Sequence, residues 1–193
     1  MTVNAPIPGA TPAFVSFSAE IVPHTTEALI ATMAQFASQG VQQVHLLLST
    51  PGGTVMNGMN LYNVLRAFPF ALTTHNVGNV DSIGNAVFLA GETRYACPHS
   101  TFMFHGVGLD GQPGTRWEEK QLKECLQGVL ADQKRIAAII EQRSKLTGDA
   151  AEALFAEAQT KDAAYAISAG IVDEVRDVNI PPGSPVAALV FQR

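Results

Sequence analysis

Apolar residues along this chain follow two rhythms, short continuous runs of strand type and stretches with helical spacing, and the two alternate. Phe14–Ile21 reads as a strand. His24–Gln39 reads as a helix, with Leu29, Ile30, Met33 and Phe36 on one face, Thr25 or Thr26 at its N-cap and Gly40 ending it. Val44–Ser49 is a buried-strand run that stops at the forced turn Ser49-Thr50-Pro51-Gly52-Gly53, and Val55–Phe68 then takes helical spacing. Ala71–Val80 is a further strand, leading through Asp81-Ser82-Ile83-Gly84-Asn85 into the apolar helical segment Ala86–Ala90. Thr93–Ala96 and Thr101–Phe104 are strand-like, with Pro98 between them. This alternation predicts an α/β fold of repeated parallel βαβ units with right-handed crossovers.

The second half opens with the clearest helix. Thr115-Arg116-Trp117-Glu118 fits a capping box, and Leu122, Leu126, Val129, Ile136 and Ile140 form a stripe that runs to Thr147-Gly148. A helix of about 30 residues at ~1.5 Å each is a rod of about 45 Å. That is long for the inside of so small a domain, so the helix is expected to project and pack against another subunit; the alternative is a helix lying across the domain surface. Shorter helices follow over Ala150–Ala158 and from Asp162 to Ala169, the latter closed by Gly170, and then a strand over Ile171–Arg176.

Charge refines this picture. Residues 1–100 carry only Glu20, Glu27, Arg66, Asp81, Glu92 and Arg94, so the first half is expected to be largely buried, by the core or by neighbouring subunits. No stretch reads as a linker or an internal repeat, and a single domain over residues 1–193 is expected. With 47% hydrophobic and 15% charged residues, disorder, collagen-like repeats and coiled coil are excluded. The formal net charge of -5 gives no basic field for nucleic acid. The long charge-free stretches are broken by Pro, Gly and polar residues, and no basic region followed by an apolar run opens the chain. Neither a membrane span nor a secretory leader is therefore expected, and the cytoplasm is the default compartment. Cys97 and Cys125, without a C-x-x-C spacing, are expected as reduced thiols in or near the core.

Chemistry concentrates at three places. Glycines at the strand end Pro51-Gly52-Gly53 let backbone N–H groups face a cleft, where they can hold a carboxylate, a phosphate or a developing oxyanion; a tight turn needing positive φ explains them equally. Ser82 sits between a strand and a helix, where the following amides favour negative charge, although it or Asp81 could simply cap that helix. Its surroundings, Val80-Asp81-Ser82-Ile83-Gly84, are not G-x-S-x-G. His105 closes the apolar strand Phe102-Met103-Phe104 and precedes Gly106-Val107-Gly108, a position suited to a base or to a hydrogen-bonded core histidine. Cys97, His99 and His105 invite a zinc reading, but a fourth ligand and a recognised spacing are missing. No metal or organic cofactor is expected.

Taken in order, Ser49-Thr50-Pro51-Gly52-Gly53-Thr54-Val55, Asn57-Gly58-Met59 with Tyr62, Ser82-Ile83-Gly84, Cys97-Pro98-His99-Ser100 with Phe102-Met103-Phe104-His105, and Gly170-Ile171-Val172-Asp173 resemble the proteolytic subunit of the Clp protease family. The likeness runs from about Phe14 to Arg176. It implies a ClpP/crotonase-type fold, a serine endopeptidase acting on peptides or unfolded proteins, and homo-oligomeric rings joined through a handle helix over about 116–146. By the same resemblance Ser82 is the nucleophile, His105 the base, the N–H groups of Gly52 and Ile83 the oxyanion hole, and Gly53 a substrate contact.

Two features depart from the family pattern. Counting back from Gly170 puts the family's acid at Ala158, so Asp162 and Glu157 are the nearest candidates for a third catalytic residue; Asp162 also fits a helix N-cap and Glu157 an exposed helix position. Only about a dozen residues precede the first strand, fewer than the family uses to engage an AAA+ unfoldase, so an ATP-independent peptidase is the expectation. Three competing readings are a Ser–Lys peptidase using a downstream lysine, a crotonase-like acyl-CoA enzyme, and a catalytically impaired subunit that assembles or regulates others.

Overall fold

The computed structural model describes residues 11–109, 111 and 114–191; residues 1–10, on which the reading of the N-terminus rests, lie outside it. Four strands come from the charge-poor half, β1 (Ala13–Ser18), β2 (Gln43–Thr50), β3 (Ala71–Asp81) and β4 (Thr93–Ala96), and β5 (Thr101–Met103) follows at its end. Between them run α1 (Pro23–Ser38), α2 (Val55–Ala67) and α3 (Gly84–Phe88). The second half adds α4 (Glu119–Arg143), α5 (Gly148–Glu157), β6 (Thr160–Asp162), α6 (Ala163–Ser168), β7 (Glu174–Val175) and β8 (Val186–Leu189). The sheet runs β6-β5-β3-β2-β1-β8, with β4 beside β3 and β7 beside β4. Every pairing is parallel except β5 with β6. This is the βαβ arrangement expected of the ClpP/crotonase-type fold.

Strand alternation decides which face is buried. In β2, Val44, Leu46, Leu48 and Thr50 are buried while the residues between them are half-exposed, and α1 packs the core with Leu29, Met33 and Phe36. The other face carries a row of rings: Phe14 stacks on His45 at 4.7 Å, His45 lies 5.1 Å from His75, and His75 lies 5.2 Å from Tyr95.

One irregularity aims the site. Leu48 pairs with Asn76 but Thr50 with Val80, so β3 carries a bulge where it changes neighbours, leaving β4 after Asn76 and meeting β5 from Asn79. The buried Asn76 side chain bridges the change, donating to Thr101 O at 2.8 Å and accepting from Gly78 N at 3.1 Å.

Several expectations shift. α1 has Val22 at its N-cap; Thr25 lies in the first turn, where its Oγ1 accepts from Val22 N at 3.0 Å. α4 begins at Glu119 and ends at Arg143, shorter than the expected rod, because Gln121 Oε1 accepts from Glu118 N at 3.0 Å and moves the cap three residues beyond Thr115. Only Glu174–Val175 of the expected strand Ile171–Arg176 is paired, and β6 and β8 are elements the hydrophobic pattern did not mark. Cys97 and Cys125 are both free and half-buried. Among the described residues no helix is long and apolar enough to cross a membrane.

Candidate active site

β3 ends in a turn that Ser82 makes with φ +56, the left-handed region a side chain rarely enters. Its N–H donates to Met103 O at 2.9 Å, which ties the turn to the end of β5. Asn85, one turn on in α3, donates from Nδ2 to Ser82 O at 3.0 Å and to Met103 O at 2.8 Å. The strand-to-helix switch at Ser82 is thus held from both sides.

The Pro51-Gly52-Gly53 turn lies directly against this serine. A Cβ on Gly52 would sit 2.7 Å from Ser82 Cβ and 3.3 Å from its Oγ, and one on Gly53 would sit 2.2 Å from Ile21 O, so both positions exclude any larger residue. The turn is clamped to the end of β1 by Ile21 N donating to Gly52 O at 2.7 Å and Thr54 N donating to Ile21 O at 2.9 Å. Gly52 N–H is already engaged, donating to Thr50 Oγ1 at 3.1 Å. The N–H groups of Gly53 and Ile83 have no acceptor among the described residues. Gly53 lines the cleft beside Ser82 and Ile83.

His105 lies two residues beyond the end of β5 and is exposed. It shares with Ser82 a cleft of about 550 Å³. Val55, Ile83, Phe104, Val129, Ile136 and Phe155 make much of its wall, and Glu20 and Asp132 are its carboxylates. No hydrogen bond joins Ser82 to His105; in sites without substrate such contacts are commonly long and tighten on binding. The segment after His105 is fixed to α4 by Val107 N, which donates to Gln133 Oε1 at 3.1 Å. Thus α4 does more than project: its residues Cys125 to Ile136 form one side of the cleft.

The candidate acids stay outside this cleft. Asp162 pairs with Thr101 at the far end of the β5–β6 ladder, and its Oδ1 accepts from Tyr165 N at 2.8 Å as the N-cap of α6. Glu157 is the exposed last residue of α5. Burial and, secondarily, the Glu157 charge push the Tyr165 phenol up from its usual range. The ladder pairs Met103 with Thr160, and Phe104 N donates to Gln159 O at 3.2 Å, so its continuation sets Ala158 across from His105. Ala158 takes φ +50 and carries no group that could orient an imidazole. Among the described residues no three of His, Cys, Asp and Glu are grouped to hold a metal ion.

Two residues of this site have no motif to announce them, Asn85 and Gln133. Both act through backbone partners 18 and 26 positions away in the chain, which no local pattern encodes. The family model described as Clp protease matches the chain over residues 11–179.

Proposed function

The chain belongs to the Clp protease family, a family of peptidases that handle peptide substrates and generally form oligomeric rings, and from that premise we propose that it is a serine endopeptidase with Ser82 as nucleophile and His105 as general base. The observation that carries this reading is Ser82 itself. A non-glycine residue held at positive φ, pressed against the Pro51-Gly52-Gly53 backbone and sharing a cleft with a histidine is costly for the fold and useful for acyl transfer.

His105 takes the Ser82 Oγ proton as the oxygen attacks the peptide carbonyl, and the carbonyl oxygen becomes an oxyanion. The N–H of Ile83 and that of the Gly52-Gly53 turn, Gly53 being the unengaged one, stabilise that charge. Collapse of the tetrahedral intermediate breaks the C–N bond, the imidazolium returns its proton to the leaving amine, and water then hydrolyses the acyl-serine with His105 again as base. Asp162 has its carboxylate committed to the α6 cap, and Glu157 has no hydrogen bond toward the cleft, so the resting site works as a serine–histidine pair. The apolar walls suit an apolar side chain beside the scissile bond, and among the described residues no Lys or Arg lines the cleft to attract acidic peptides.

Intact mass after fluorophosphonate treatment tests the mechanism. Wild type is expected to gain one adduct, Ser82→Ala none, and His105→Ala to react about a thousandfold more slowly. Asp162→Asn and Glu157→Gln are expected to react within about twofold of wild type, since neither carboxylate reaches the imidazole. An unlabelled wild type, or full reactivity in His105→Ala, would overturn the assignment.

A further inference from the structure

We propose that Asn85 is a positioning residue that rivets the nucleophile turn to β5, the strand that leads into the base; the proposal rests on the reading of Ser82 and His105 given above. Asn85 is 1% exposed, in a helix whose other residues, Gly84, Ala86, Val87 and Phe88, are small or apolar. An amide is a poor choice for packing at such a place, because a buried polar group is unfavourable unless it is bonded. Its Nδ2 finds two acceptors, Ser82 O at 3.0 Å and Met103 O at 2.8 Å, while its Oδ1 is buried with no partner. The orientation is fixed by chemistry: turned over, the amide would set its oxygen against two carbonyl oxygens.

The two acceptors are what make the contact functional. Ser82 O belongs to the strained turn, and Met103 is the last residue of β5, two residues before His105 in the chain. Met103 O already accepts from Ser82 N at 2.9 Å, and Ser82 O from Asn85 N at 3.1 Å. The Nδ2 group therefore closes a small ring of hydrogen bonds joining nucleophile turn, α3 and β5. Without it the turn itself is held to β5 only by Ser82 N donating to Met103 O, next to the β3–β5 ladder that ends at Asp81 and Met103. A turn at positive φ tends to relax, and relaxation would swing Oγ away from the imidazole and the Ile83 amide.

The test combines two variants with two readouts. In Asn85→Ala both side-chain bonds vanish. In Asn85→Ser the hydroxyl can still bond back to the Ser82 carbonyl within the helix turn but does not span to Met103. Both are expected to lose about tenfold to a hundredfold in kcat for a peptide substrate and in fluorophosphonate reaction rate, with KM unchanged. Hydrogen exchange is expected to quicken together in residues 79–88 and 101–107, and not elsewhere. Wild-type kcat in Asn85→Ala, a loss confined to KM, or recovery of kcat in Asn85→Ser would overturn the link to β5. Should wild-type Ser82 take no adduct, the nucleophile reading falls. The exchange measurement still decides the rivet, coupled quickening upholding it and unchanged exchange overturning it.

Discussion

Ser82 holds a backbone conformation that costs a non-glycine residue about 1–2 kcal/mol, and the cost persists because the surroundings over-determine it. Its N–H is bound to β5, its carbonyl to α3, and its side chain abuts a glycine that has no room for a Cβ. Stability and activity therefore pull in opposite directions at this one position. Ser82→Gly removes the Cβ that makes positive φ unfavourable, whereas Ser82→Ala keeps it. In urea unfolding, Ser82→Gly is expected to be more stable than Ser82→Ala by up to about 1 kcal/mol, with both inactive. Equal stabilities, or a more stable alanine variant, would show that the turn stores no strain.

Among the elements, the row of rings across β1 to β4 is the feature with a titration built into it. His45 Nδ1 and His75 Nε2 are 2.8 Å apart, one donating and one accepting, which requires the accepting ring to be neutral and excludes charging both. Burial, then the neighbouring His45 and Arg176 charges, lowers the His75 pKa to about 4; burial and Arg176 lower that of His45 as well. Because the folded value lies below the ordinary 6.5, the unfolded chain binds protons first as the pH falls. The contribution to stability is thus intact above pH 6.5 and is lost as pH drops toward 4. Comparing unfolding midpoints from pH 7.5 to 4.5, His75→Phe is expected to show a shallower acid decline than wild type, some slope remaining from His45. Parallel curves would remove His75 from the account.

The strands and helices of the first half were legible to within a few residues because each buries an alternating or helical face: β2 and α1 follow the pattern read from the sequence. β6 was not, since Thr160–Asp162 is a three-residue piece with little buried side, defined by its pairing to β5 alone. β8 is equally hidden, a half-exposed edge strand that exists through β1. At the site, the order of the motifs singled out Ser82, His105, the Gly52-Gly53 turn and Ile83, and Gly53, Ser82, Ile83 and His105 line one cleft; the roles given to them remain those proposed above. Asn85 was passed over, because an amide that reaches a carbonyl on another strand leaves no periodic trace. Spacing could pick out the glycine turn but not which amide is free, which depends on Thr50 Oγ1 capturing Gly52 N–H.

For the molecule as a whole, α4 both walls the cleft and carries an exposed apolar stripe. Its C-terminal half is anchored by Ile136, Ala137, Ile139 and Ile140 in the core, but its N-terminal half leaves Leu122, Leu126 and Leu130 at 54%, 56% and 53% exposure, spaced one turn apart on one face. A stripe of leucines in water is unfavourable by roughly 25 cal/mol for each Å² of apolar surface, and burying it against another copy recovers that term. The family generally forms oligomeric rings, and a neighbouring copy is the proposed cover of this stripe. The same helix walls the cleft from Cys125 to Ile136, so loss of its partner should loosen that wall. Leu126→Glu sets a charge in the middle of the stripe without touching the buried half. It is expected to sediment as a smaller species than wild type and to lose at least tenfold in peptide hydrolysis, in step with dissociation. A wild-type chain that remains monomeric at micromolar concentration would reject the stripe as an interface, and a dissociated variant that hydrolyses peptide at the wild-type rate would show that α4 holds the cleft by itself.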